Sequence, residues 1–136
     1  MINACSFIPH EKPMIFIDHL IEVNSNAAIA ELVITPELLF CESQGLPTWT
    51  SIELMAQTVS AYVGYQHGGP AQKPKIGFLL GTRKLHLPLA FFAYGETVKI
   101  HIEQVYIHEG LGQFNCTITY QEYVFNATIN VFEPNH

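Results

Sequence analysis

Trp49-Thr50-Ser51-Ile52-Glu53-Leu54-Met55-Ala56-Gln57-Thr58-Val59-Ser60-Ala61-Tyr62-Val63-Gly64-Tyr65 is the one long segment of the chain with helical periodicity. Ile52, Met55, Ala56, Val59 and Val63 recur at steps of three and four residues, which predicts a helix with an apolar stripe. Glu53 and Gln57 stand one turn apart beside that stripe, and Ser60 and Gly64 continue their line. A carboxylate on so apolar a helix is costly to bury without a structural or a chemical reason. Thr50-Ser51-Ile52-Glu53 supplies a structural one, because it fits a capping box in which the glutamate bonds back to the helix start.

Outward from the helix, the sequence changes to strand patterns. On the N-terminal side, Ile8-Pro9-His10-Glu11-Lys12-Pro13 is held extended by its prolines, and the segment from Met14 to Val23 is rich in Ile and Phe. Asn24-Ser25-Asn26 supplies a turn and Ala27 to Thr35 a return strand, so a hairpin is expected. Pro36 to Phe40 reads as one helical turn, and Cys41 to Thr48 as the loop into the long helix. His67-Gly68-Gly69-Pro70 is a helix stop. Beyond it, strands are expected from Lys75 to Leu87, Glu96 to His108, Gly112 to Gln121 and Tyr123 to Phe132. Turns at Glu109-Gly110 and Gln121-Glu122 join the last three into a meander. Two strands, one helix and four strands make an α+β chain of one domain spanning residues 1–136. The economical arrangement is a curved antiparallel sheet of five to six strands wrapped around one long central helix. The exposed edge of such a sheet gains by pairing with another subunit, so a dimer is expected.

Composition narrows the function. Charged residues make up only 13% of the chain and apolar ones 49%, which suits a surface partly covered by a partner. The net charge of −6 argues against nucleic acid, which asks for a basic face. Lys73, Lys75, Arg83 and Lys84 nevertheless form a local basic group. Cys5, Cys41 and Cys116 have neither paired nor metal-ligand spacing, so free thiols and no metal site are expected. The first residues lack the basic start and apolar run of a secretion signal, and no segment approaches a membrane span. A cytoplasmic protein is the expectation.

The order of elements, with Ile52-Glu53-Leu54-Met55-Ala56-Gln57 on the helix, resembles a hotdog fold, and more narrowly the 3-hydroxyacyl-acyl-carrier-protein dehydratases. Ile8 to Asp18 is similar to the proline-bracketed opening of those enzymes. Gly45-Leu46-Pro47-Thr48-Trp49 looks most like the ApeP-type subunits of aryl-polyene assembly. The resemblance spans roughly residues 8 to 132, with only the opening and the helix motif specific. It implies dehydration of 3-hydroxyacyl chains carried on acyl carrier protein to trans-2-enoyl thioesters, with no cofactor beyond the carrier's phosphopantetheine arm. Glu53 matches the acid that handles the leaving hydroxyl. A backbone N–H near Thr48 or Trp49 matches the group that polarises the thioester carbonyl, where the helix dipole favours negative charge. Gln57 is the candidate to orient the carboxyl, and Phe78 and Gly81 are candidates to line the acyl site. For Gly81, a strand bulge is the commoner alternative.

The chain departs from the family at one point. Family members carry a histidine base in a loop before the helix, yet none occurs here between His19 and His67, and Leu39, Phe40 and their neighbours stand where it belongs. Either His10 substitutes, or a related hotdog subunit supplies the base, or the chain is a non-catalytic partner. Family active sites form between two chains, so a heterodimer is coherent with the second option. A further alternative keeps the fold and makes the chain an acyl thioesterase in which Glu53 activates water. The basic group Lys73, Lys75, Arg83 and Lys84 is the candidate surface for docking the acidic carrier protein. His86, His101 and His108 are read as structural.

Overall fold

A computed structural model describes residues 2–3, 19–38, 40–66 and 78–132. The elements run β1 (Ile2–Asn3), β2 (His19–Val23), β3 (Ala27–Val33), β4 (Leu46–Pro47), a single 3-10 turn (Thr48–Thr50), α1 (Ser51–Gln66), β5 (Phe78–His86), β6 (Phe91–Phe92), β7 (Thr97–His108), β8 (Leu111–Tyr120) and β9 (Tyr123–Phe132). One antiparallel sheet takes the order β1-β2-β3-β7-β8-β9-β5, and β4 and β6 form a separate two-stranded ribbon. The six expected strands are all present. The two-residue β1 adds a seventh to the sheet by pairing with the start of β2.

Alternation explains why the sheet has one dry face. Val98, Ile100 and Ile102 on β7, Phe114, Cys116 and Ile118 on β8, and Phe125, Ala127 and Ile129 on β9 all point into the core. Ala28, Ala30 and Leu32 do the same on β3. Thr97, Lys99, His101 and Glu103 take the outer face of β7. From Val105 onward both faces of β7 are exposed, because the hairpin there extends past the helix-covered region. Glu109 at φ 51° and Gly110 at φ 84° make its turn, and Gln121 at φ 54° begins the next.

α1 lies over the sheet, with its closest packing on β3, β7 and β8. Its burial departs from a single apolar stripe. From Leu54 to Gly64 every residue except Ala56 is buried, polar Gln57, Thr58 and Ser60 included. Ile52 and Ala56, expected on the core stripe, are only half-buried. A helix enclosed on nearly all sides needs little amphipathicity, and small residues such as Ala61 and Gly64 let it sit close to its neighbours. The Thr58 hydroxyl donates to the Leu54 carbonyl at 2.9 Å, which satisfies it without leaving the helix. At the C-terminal end, the Tyr62 hydroxyl lies 2.9 Å from both the Ser25 carbonyl and the Gln104 Oε1. The Gln66 amide donates to the Asn24 carbonyl at 2.7 Å. The helix is thereby tied to the β2–β3 turn. None of the described helices is long and apolar enough to cross a membrane.

Cys116 sits inside this core, and burial pushes its thiol up to about 12 from an ordinary 9.0. Below pH 9 both folded and unfolded chains hold the thiol protonated. As pH rises further the unfolded chain ionises first, so stability should fall toward pH 12 by about 1.4 kcal/mol per unit. Urea midpoints measured across that window check this, and Cys116→Ala should flatten the dependence.

Candidate active site

The helix start is held from behind by the β4–β6 ribbon. Phe92 of β6 pairs with Leu46 and is buried, with ring centroids 5.1 Å from Tyr120 and 5.0 Å from Phe125. Gly45 meets this ribbon so closely that an added Cβ would lie 2.1 Å from the Phe92 carbonyl oxygen. Its φ of 130° is also open to glycine but strained for other residues. Glu42 and Gly45 form an isolated antiparallel bridge, and the Tyr94 hydroxyl donates to the Glu42 carbonyl. The loop leading to the helix is therefore braced at its base.

Thr48 is buried, and its hydroxyl donates to the Leu89 carbonyl at 2.5 Å. Its backbone N–H donates to the Ala90 carbonyl at 2.9 Å. Of the two N–H groups expected to polarise a substrate carbonyl, Thr48's is thus already occupied. Trp49 stands next in the opening turn, where a helix provides no acceptor of its own for the first N–H groups. Thr48→Val should lower stability by about 1–2 kcal/mol, because it leaves the Leu89 carbonyl without its donor. Thermal or urea unfolding measures the loss.

Glu53 and Gln57 meet as their spacing predicts. The Gln57 Nε2 donates to Glu53 Oε2 at 2.8 Å, with Gln57 only 1% exposed and Glu53 half-buried. A carboxyl held by a buried amide on its own helix has a defined direction, which a proton donor requires. The Thr50 hydroxyl donates to the Pro47 carbonyl at 2.7 Å. Two further hydroxyls lie in this region. Ser51 Oγ, in the first turn, and Ser60 Oγ, continuing the Glu53–Gln57 line, are buried with no hydrogen-bond partner among the described residues. No pattern in the sequence marks a hydroxyl as unsatisfied, since that depends on what packs around it.

Phe40, one of the positions at which the resemblance leads one to expect a histidine, lies at φ 71° and packs against Trp49, with ring centroids 5.2 Å apart and planes tilted by 56°. Both rings remain open, Phe40 at 45% and Trp49 at 55% exposure. The sequence did not pair them. Phe78 opens β5 opposite Phe132, and Gly81 pairs with Asn130 just after a register shift, so the expected irregularity at this glycine is a strand bulge. Arg83 and Lys84 share the same edge strand, where Lys84 adopts φ 57° beside a second shift and is exposed. Glu53 and Gln57 are thus brought together on α1, while Phe78, Gly81, Arg83 and Lys84 belong to β5. His10, Lys73 and Lys75 lie outside the described residues. His86, His101 and His108 are exposed on strands.

A single helix laid on an antiparallel sheet of six long strands is the hotdog fold, the class these elements define. The chain belongs to the ApeP-like family, described as ApeP dehydratase, whose profile matches residues 2–136. Among solved structures, it is similar to a chain of the dehydratase heterocomplex ApeI:P from Xenorhabdus doucetiae. That match has a TM-score of 0.88 at 23% identity, covering 99% of this chain and 93% of that one. Cj0977, a sigma28-regulated virulence protein from Campylobacter jejuni, matches with a TM-score of 0.73 at 14% identity over 98% and 89% of the two chains. A hypothetical thioesterase with coenzyme A from Streptococcus pneumoniae TIGR4 matches with a TM-score of 0.67 at 15% identity over 87% and 86%. No curated protein matches the chain.

Proposed function

We propose that this chain is the acid-bearing subunit of a heteromeric dehydratase. It acts on 3-hydroxyacyl thioesters of acyl carrier protein and yields trans-2-enoyl thioesters in fatty-acid-like or aryl-polyene synthesis. The observation that carries the reading is Glu53 fixed by the buried Gln57 amide on the central helix of an ApeP-like dehydratase. In the reaction a base takes the proton next to the thioester carbonyl, and negative charge gathers on the carbonyl oxygen. We assign that charge to the Trp49 N–H, a reading supported by its position in the opening turn of the helix. Glu53 gives its proton to the hydroxyl at the third carbon, which leaves as water. The missing base is the histidine of a related hotdog subunit. Membership in a dehydratase family and likeness to a chain of a two-subunit dehydratase support this division of labour. Lys84 and Arg83 on the edge strand remain the proposed contacts for the carrier.

The test is product analysis on a 3-hydroxyacyl carrier thioester, with the chain alone and with a His-bearing hotdog subunit. Enoyl thioester formed only by the mixture is expected. Free acid identifies a thioesterase, and activity of the partner that is indifferent to this chain identifies a non-catalytic companion. Enoyl product from the chain alone, lost in His10→Ala, makes His10 the base instead.

A further inference from the structure

We infer that Ser60 is a second positioning residue of the acid, holding the Gln57 amide against Glu53 through one interior water. The inference rests on the dehydratase reading. Thr58 and Ser60 are buried hydroxyls two residues apart on α1, and they behave differently. Thr58 satisfies itself on the Leu54 carbonyl at 2.9 Å, the usual resort of a hydroxyl inside a helix. Ser60 does not. It is only 7% exposed, and its Oγ has no hydrogen-bond partner among the described residues, the Ala56 carbonyl one turn back included. A hydroxyl this deep is costly to leave unbonded, and the general remedy in a protein interior is an ordered water.

The position of Ser60 selects what else that water meets. Helix periodicity places it on the line of Glu53 and Gln57, three residues beyond the amide. That line runs inward from a half-buried Glu53 to Gln57 at 1% exposure, and Gly64, the next position after Ser60, is buried and contributes no side chain. Ser51, the other unpartnered hydroxyl, lies two residues before Glu53 and so on a different face. Residues three apart on one face have Cβ atoms about 5–6 Å from each other, a gap that one water spans. Gln57 Nε2 is committed to Glu53 Oε2 at 2.8 Å, so Oε1 is the acceptor on the far side of the amide. A water held by Ser60 and donating to Oε1 fixes which end of the amide meets the acid. The reversed amide would turn an oxygen toward the carboxylate that remains once Glu53 has given up its proton, and the two would repel. Ser60 thus keeps a donor facing the charge as it develops.

The test uses the complex of this chain with a His-bearing hotdog subunit, with kcat and KM measured on a 3-hydroxyacyl carrier thioester. Ser60→Ala should lower kcat roughly tenfold and leave KM within about twofold, because a misdirected proton donor fails in the transition state rather than in binding. The double variant Ser60→Ala with Gln57→Leu should be no slower than Gln57→Leu alone, since Ser60 acts through Gln57. A merely structural serine predicts losses that multiply. A second readout needs no turnover. The side-chain amide resonances of Gln57, identified by their loss in Gln57→Leu, should shift and exchange faster with solvent in Ser60→Ala. Unchanged kcat in Ser60→Ala, losses that multiply in the double variant, or unshifted Gln57 amide resonances would each overturn the inference. Absence of enoyl product from the unaltered complex counts against the dehydratase reading instead, and the amide resonances then decide the role of Ser60 alone.

Discussion

Glu53→Gln should lower dehydration by the assembled complex by about two to four orders of magnitude while leaving the fold intact. Glutamine has the size and shape of the glutamate, and its side-chain oxygen still accepts from the Gln57 Nε2 that now donates to Glu53 at 2.8 Å. The substitution therefore keeps the packing and removes the transferable proton. Rates measured at saturating substrate should carry the loss, since a proton donor acts in the transition state and contributes little to binding. A capping role predicts the opposite pattern, with a lowered unfolding midpoint and little change in rate. Gln57→Leu should fall between these outcomes, with a smaller rate loss. It removes the amide that directs the carboxyl and leaves the carboxyl itself in place.

Gly45→Ala should be the most damaging of the small substitutions for stability, by about 3 kcal/mol or more. Its new Cβ would lie 2.1 Å from the Phe92 oxygen, 3.0 Å from the Phe92 carbonyl carbon and 3.3 Å from the Ala93 Cα, all backbone atoms that cannot swing aside. The φ of 130° adds backbone strain that no neighbouring movement relieves. Because Leu46-Pro47 and Thr48 follow immediately, the displaced ribbon would also move the helix start, so activity should fall along with stability. Gly95→Ala is the control. It too has positive φ, at 85°, but nothing lies within 4 Å of its Cβ, so only a backbone cost of about 1–2 kcal/mol applies. Denaturant unfolding of the two variants separates clash from conformation.

Much of the fold was legible because each long strand carries its own alternation. Val98, Ile100 and Ile102 against Lys99, His101 and Glu103 announce β7, and Glu109-Gly110 its turn. The β4–β6 ribbon was not legible, since two-residue strands such as Leu46–Pro47 and Phe91–Phe92 have no period to detect. Strand order was likewise hidden. β5 follows the helix in sequence but pairs with β9 at the far edge, a choice made by tertiary packing. The helix was recognised, yet its burial was misjudged, because Thr58 and Ser60 read as polar and nevertheless pack inside. In the candidate site, the spacing of Glu53 and Gln57 revealed their contact, as neighbours one turn apart must meet. Phe40 and Trp49 are separated by a loop whose path depends on Tyr94 and Gly45, so no local signal joins them.

The most direct test of the central claim uses the complex with the His-bearing subunit, any carboxylate on that partner's own central helix being changed to glutamine so that Glu53 is the acid that remains. Single-turnover dehydration of a 3-hydroxyacyl carrier thioester should survive in that complex and vanish when Glu53→Gln is added. Loss of turnover already on changing the partner's carboxylate, or turnover that persists without Glu53, would contradict the account.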